Sequence, residues 1–549
     1  MNTMTPESSA TSSMFSQIVA PFCAAKNVTC DPYEKYRSYD GKCNNLRNPL
    51  WGSALTAQPR FISANYGDKY NSGSKPRKNS VRYGSLPNPR DISNTVHKEG
   101  TTFARSCLSN VAFTHFGQFV DHDVISTPIK KSKKGEAKLQ CCNGNTPVNR
   151  PECLSFSTPV GEFQTTCMHF VRSETAPRTD CSPGYSDQMN QVTSYLDLSS
   201  TYGSSKKMAD ELVDRTTGDT RHTEVPMLNA IHTLFLREHN RIVDILKKIN
   251  PHHDGSKLYN EARKILIGIY QHIIYKEFIP KLLGTTLARY HGLLPTSYGH
   301  KTRYNRNVNA GTRNGFAGAA FRIGHTFVGK FVGTLDTYYN VNEQVPLEGE
   351  FFNPRTIRST KTFSVDKISK WMLEKFSGQS DPFVTSSVRD HLFETKPGNG
   401  FDLIALNIQR GRDHGLPSYN KFRKFCGLQP ALTFGYSAIG LRDMSYEAAS
   451  ALQKMYRHPD DIDLFSGGLS ETPVQGGLVG PTFGCLIALQ FKYYRNGDRF
   501  FYENAYSNTG FTSAQLSVIK KQTMSSLYCR NFNFSEIQAD AFTSARSST

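Results

Sequence analysis

Residues 113–128 read FTHFGQFVDHDVISTP. The stretch has the character of a buried aromatic helix, yet it carries Gln118, Asp121, His122 and Asp123. On a helix Gln118 and His122 are four apart and share a face, Asp121 flanks that face, and Asp123 points roughly 200° away from Asp121. One face can therefore address a cofactor while Asp123 addresses something else. Three ionisable residues in a row among Phe and Val are costly unless each is satisfied, which favours a functional site over an ordinary core segment.

Working outward, helical periodicity dominates. In Leu228–Ile249 the apolar positions 228, 231, 235, 242, 246 and 249 fall on one face. Ile265–Leu283 behaves similarly, with Pro280 expected to end or kink it. Shorter helices are expected at Asp366–Phe376, Tyr446–Met455 and Phe483–Tyr493, and alternating strand patterns are scarce. Asp31–Arg90, rich in Gly, Pro, Asn and Tyr, reads as irregular chain wrapped on the surface of something larger. Residues 1–29 read as a disordered leader and 30–549 as one catalytic domain. The expected fold class is mainly α, a single large helical domain with little β-structure and long irregular loops.

Composition narrows the setting. The 549 residues carry a net charge of +18, which favours acidic partners such as a polyanionic extracellular matrix; no nucleic acid partner is expected. The Lys130, Lys131, Lys133, Lys134 cluster reads as a solvated loop. No apolar run reaches the ~18 residues of a membrane-spanning helix. Among 12 cysteines none forms a C-x-x-C pair. Cys141, Cys142, Cys153, Cys167 and Cys181 resemble a disulfide-tied loop more than a zinc site, which points to an oxidising, extracellular setting. Met1–Ala20 shows no basic n-region and no apolar h-region, so no export signal is visible.

Other segments carry chemistry. Thr193-Ser-Tyr195-Leu-Asp197-Leu-Ser199 offers hydroxyls and a carboxylate at alternate positions, a polar turn by itself but a calcium loop if Asp123 completes it. Gly218–Glu224 places Arg221 and Glu224 three apart before the long helix. Phe321-Arg322-Ile-Gly324-His325 sets one His beside a Gly, leaving room for a planar ligand. Gly324–Lys330 fits most of a P-loop, but Phe331 stands where a hydroxyl must hold magnesium. G-x-S-x-G, H-E-x-x-H and G-x-G-x-x-G are absent. Leu403–Tyr419 contains Asn407, Arg410 and Arg412 after an apolar run. Two separated His segments, arginines for propionates and an Asn to orient an imidazole together suit a haem enzyme.

The motifs GQFVDHD, TSYLDLSSTYGS, GDTRHTEVP, LREHNR, FRIGHT and LNIQRGRDHGLP follow one another in an order and spacing that resembles the animal haem peroxidases, the group of myeloperoxidase, lactoperoxidase and peroxidasin. The likeness covers about Cys30 to Arg530. It implies a haem peroxidase domain that reduces hydrogen peroxide, with His122 as distal base, Gln118 beside it and Arg221 as distal cation. It also implies that His325 ligates the haem iron with Asn407 accepting from its second nitrogen. Asp121 and Glu224 would form ester bonds to haem b, with Arg322 and Arg410 pairing its propionates. One calcium ion would be held by Asp123, Thr193, Tyr195 through its carbonyl, Asp197 and Ser199. Cys30–Cys43 and Cys426–Cys485 resemble family disulfides. Val225 stands where myeloperoxidase has a Met, so a sulfonium link is impossible and the resemblance points to iodide, bromide, thiocyanate or phenolic donors such as tyrosine rather than chloride.

On this reading a neutral His122 takes a proton from peroxide and returns it to the leaving oxygen, while Arg221 stabilises the developing negative charge. One rival is a catalytically idle adhesion or matrix-binding protein on the same fold, motivated by the charge. A fatty-acid dioxygenase is a second rival, but it would need a tyrosine beside the proximal His, and Phe321–His325 offers none. Asn27-Val-Thr29 and Asn533-Phe-Ser535 are glycosylation sequons.

Overall fold

The computed structural model describes residues 28–68, 73, 75–100, 104–132, 139–177, 187–211, 218–353, 363–532, 534 and 536–544. The leader up to residue 27, Cys23, Cys181, Lys133, Lys134, Asn27 and Asn533 lie outside them. Helices build the core: α1 (Val111–Val124), α2 (Pro226–Ile249), α3 (Gly255–Ile273), α4 (Val365–Glu374), α5 (Leu403–Asp413), α6 (Pro481–Asn496) and α7 (Met524–Asn531). Strands are short; among the described residues they form one three-stranded and four two-stranded sheets. The chain is mainly α, as its periodicity predicts.

Each site-bearing helix starts at a local device. The Asn110 side chain accepts from Phe113 N at 3.0 Å to open α1, and Asp254 accepts from Lys257 N at 2.7 Å to open α3. Asp402 accepts from Ile404 N and Ala405 N, 2.8 and 2.9 Å, to open α5. Pro226 occupies the first turn of α2, where its missing N–H costs nothing.

The apolar face of α1 anchors the fold. Phe119 stacks on Phe235 of α2 with ring centroids 4.9 Å apart, and Phe116 meets Tyr270 of α3 edge-on at 6.2 Å. Such contacts bury 150–250 Å² per aromatic side chain, as a rough guide, and fix how far α1 stands from the two long helices. The polar face is then left pointing away from this cluster.

Two expectations about boundaries change. The helix expected over Ile265–Leu283 begins earlier, at Gly255, and Pro280 neither ends nor sharply breaks it. A π-turn over Ile274–Phe278 widens the backbone immediately before the short helix Ile279–Leu283, accommodating a proline that has no N–H to donate. Phe278 is thereby brought against α1 at Gly117, where a Cβ would lie 3.3 Å from the Phe278 ring. The helix expected over Asp366–Phe376 stops at Glu374, because Phe376 leaves to pair with Asn110 in the strand Phe376–Gly378.

Disulfides tie the irregular regions. Cys30–Cys43 and Cys426–Cys485 form, and the cysteine-rich loop is closed by Cys141–Cys153 and Cys142–Cys167. Such cross-links restrict the unfolded chain in segments that have little core of their own.

Candidate functional site

A cavity of about 370 Å³ opens between α1, the turn before α2, the 3₁₀ stretch Ala320–Phe327 and α5. Gln118, Asp121, His122, Arg221, Glu224, Arg322, His325 and Arg410 all line it. Asn407 is buried behind His325, and Asp123 turns away toward the 193–199 loop. On α1, Gln118, Asp121 and His122 line the cavity while Asp123 turns away from it, as the helix spacing predicts.

On the α1 wall, His122 Nε2 stands 3.6 Å from a Glu224 carboxylate oxygen, and its Nδ1 is buried without a hydrogen-bond partner. Burial, followed by the nearby Arg221 charge, pushes the imidazole well below its ordinary value, so it is neutral at pH 7. Gln118 donates to Glu224 at 2.8 Å and faces His115 Nδ1 at 3.0 Å. Arg221 Nη2 donates to Asp219 at 2.7 Å and to the His122 carbonyl at 3.1 Å. Burial would raise the Asp219 carboxyl, but the Arg221 guanidinium outweighs it and holds Asp219 well below the carboxylate range. Asp219 and His115 carry no role in the sequence reading. Asp219 had a signal in its D-x-R spacing, which lets the carboxylate bond the Arg221 N–H at 2.8 Å and its side chain together.

On the opposite wall, burial and then Arg322 push His325 down to about 3, so it too is neutral. Asn407 Nδ2 lies 2.9 Å from His325 Nδ1, while Asn407 Oδ1 accepts from Arg322. In this orientation Asn407 is the donor, the reverse of the acceptor role implied by the resemblance. The Arg322 cation takes the oxygen, and only a flip of the amide would present it to the ring.

The charges of the cavity test whether haem suits it. Burial raises Asp121 to about 6 and Glu224 to about 7, Arg221 pulling both back only in part. Carboxyls so placed resist standing as free anions, and an ester removes the charge. Burial lowers Arg322, and burial with the Arg322 guanidinium brings Arg410 down to about 10 although Asp413 pulls it back in part. Propionates would offset that pair. Arg410 is itself held by Val171 O and Ser173 Oγ, both 2.9 Å away, and lies 4.0 Å over the Phe170 ring. A Cβ on Gly324 would meet nothing within 4 Å, so the chain beside His325 leaves open space. The residues present fit a flat, apolar, dianionic group.

Behind α1, Asp123 accepts from Ser199 N at 2.6 Å, Leu198 N at 3.2 Å and Ser199 Oγ at 3.0 Å. Thr193 Oγ1 donates to Asp197 at 2.9 Å. Leu198 adopts φ +58°, a left-handed turn that aims these two amides at Asp123. Tyr195 donates its hydroxyl to Trp51 O at 2.5 Å, and its carbonyl receives Asp197 N at 2.9 Å. Burial raises both Asp123 and Asp197 above the usual carboxylate range, with the Asp197 charge adding to the rise at Asp123. Two buried carboxylates among hydroxyls are a hard-oxygen set whose repulsion a divalent cation would relieve.

Comparison with known proteins identifies the family. The family model described as animal haem peroxidase matches residues 36–218 and 214–542. A peroxidase-like protein of Margaritifera margaritifera is 35% identical over 97% of this chain and 73% of its own length. The human peroxidasin homolog is 33% identical over 93% of this chain; the match spans only 37% of that longer protein. Among solved structures, peroxidase A from Dictyostelium discoideum superposes with a TM-score of 0.76 at 26% identity, covering 93% of this chain and 100% of that one.

Proposed function

The chain belongs to the animal haem peroxidase family, and from that premise we propose that its cavity reduces hydrogen peroxide and oxidises bromide, iodide, thiocyanate or phenols such as tyrosine. One observation carries the proposal: His122 with Arg221, and His325 with Asn407, face one another across a single cavity. Haem, when bound, supplies the iron and the redox equivalents. His325 would hold the iron, Asp121 and Glu224 would anchor the macrocycle as esters, and Arg322 and Arg410 would pair its propionates. Asp123, Thr193, Tyr195, Asp197 and Ser199 would hold one calcium ion.

The work of the chain is proton handling and charge placement. His122 is neutral, so in the tautomer protonated at Nδ1 its Nε2 has a lone pair to take a proton from peroxide and can return it to the leaving oxygen. Gln118 is fixed by His115 and Glu224, which keeps its amide oriented beside that transfer. Asp219 clamps Arg221, so the guanidinium is already aimed when negative charge develops on oxygen. Calcium at Asp123 would brace the helix that carries His122, one residue away.

An idle adhesion protein on this fold would have no use for the clamped Arg221 or the bonded His325. Among the described residues no tyrosine lines the cavity, which removes support from fatty-acid radical chemistry. The disulfides suit a secreted protein, and we place the chain outside the cell. The decisive experiment is an absorption spectrum of purified protein before and after adding peroxide. The expected result is a haem Soret band that shifts with peroxide. A protein that retains no haem overturns the proposal.

A further inference from the structure

A second, much smaller cavity lies between Lys35–Arg37, α3 and residues 500–511. Its volume is about 20 Å³, enough for one particle the size of a water or a halide ion. Lys35, Arg37, Arg263 and Lys264 line it. Two of these cations are answered: Lys35 pairs with Glu261, and Arg37 grips Asp498 at 2.8 and 2.6 Å. Arg263 and Lys264 form no ion pair with any described residue. Arg263 donates through Nη1 to Arg37 O at 2.9 Å and lies 4.4 Å over the Tyr39 ring. Lys264 Nζ donates to Gly510 O at 2.9 Å.

Two polar atoms of this lining are left over. Arg263 Nε and Thr509 Oγ1 are buried with no hydrogen-bond partner, on residues that are each only 4% exposed. Lys and Arg can only donate, and the Thr509 hydroxyl can donate as well. A water would accept two such bonds, whereas an anion would also answer the positive charge that remains after Glu261, which acts on Lys264 as well as Lys35, and Asp498 are counted. The narrow space favours a small anion over sulfate or a carboxylate.

We infer that this cavity is a binding site for a single small monovalent anion of halide size, held by Lys264, Thr509 and the positive field of Arg263. Burial, reinforced by Lys35, already pushes the Lys264 ammonium down to about 8, a burden that the anion would relieve. The same anion would add to the contacts that already join three pieces of chain there: the segment around Lys35, α3 and the loop at Thr509. The inference does not depend on the haem chemistry of the large cavity.

The test uses the purified protein in sodium bromide or chloride against sodium gluconate at equal ionic strength, because gluconate is far larger than a halide. Bromide and chloride should raise Tm saturably. Lys264→Met should abolish that increment, and Thr509→Val should weaken the half-saturating concentration by about tenfold or more. Crystals in bromide should show an anomalous peak between Lys264 and Thr509. A halide held only in the large cavity would move Tm equally in parent and variants, which overturns the inference. So does a bromide-soaked crystal with water alone in the small cavity, and that measurement stands even if Lys264→Met fails to fold.

Discussion

His122 and His325 line the same cavity and are both neutral, yet they are held in opposite ways. His325 is the near end of a chain of polar contacts that continues through Asn407 to Arg322 and the Ala317 carbonyl. His122 has no partner at Nδ1, and the nearest carboxylate, 3.6 Å from Nε2, is too distant for a hydrogen bond. A ligand must stay put, and a proton carrier must be free to change its protonation state. On the proposed reading the two walls would serve two duties, and the polar partners rather than the imidazoles make the difference.

Breaking each wall in turn gives the largest contrast. His325→Ala should lose haem, read as disappearance of the Soret band, and with it all turnover. His122→Leu should keep the haem band while peroxide reduction falls by roughly 10²–10⁴, the usual worth of a positioned acid–base group. If His122→Leu lost haem and His325→Ala retained both haem and activity, the assignment of the two walls would be inverted.

The asymmetry was only partly legible in the sequence. Gln118 and His122 could be put on one face of α1, and Asp123 on another, because helix geometry alone decides that spacing. The amide orientation of Asn407 could not be read, since it depends on Arg322, which arrives from a different element. His115 was invisible for a similar reason: a buried His on an aromatic helix is ordinarily core, and only its contact with Gln118 gives it a place in the site. Pro280 shows the limit for the fold. Its chemistry predicts a break, but the tertiary packing of Phe278 on Gly117 favours a π-turn that lets the chain continue.

A gentler change probes the carboxylate that approaches His122. In haem-free protein Glu224 keeps its proton to about pH 7, whereas the unfolded chain releases it near 4.5. Between those values the folded state binds more protons, so this group's contribution to stability is present below about pH 4.5 and is lost as pH rises toward 7. Arg221, Asp219, Asp121, His122 and Gln118 face the carboxyl, and Glu224→Gln leaves them in place. Tm measured from pH 4 to 8 should fall less steeply in Glu224→Gln than in the parent. Haem esterified through Asp121 and Glu224 should flatten the curve in the same way and should resist acid–acetone extraction after peroxide turnover. Parallel curves for parent and variant would remove the burial argument for the ester at this position.

The smallest expected change sits one residue further on. Val225 is buried, lines the cavity directly after Glu224 and serves as the N-cap of α2, so on the proposed reading its side chain would face the haem edge that Glu224 would anchor. An aliphatic side chain has no sulfur with which to form a sulfonium, and the macrocycle keeps the electron density that such a link would withdraw. On the proposed reading the oxidant would be correspondingly weaker, with bromide, iodide, thiocyanate and tyrosine expected as donors and chloride expected to be poor at neutral pH. Val225→Met should add a haem link that survives mild alkaline hydrolysis of the esters, visible by mass spectrometry, and should raise chloride turnover relative to bromide. The extra volume in a buried position is expected to cost about 1–3 kcal/mol of stability, so the ratio of the two halide rates is the proper readout rather than either rate alone. Chloride oxidation rivalling bromide in the unmodified protein would show that the residue after Glu224 does not set donor choice here.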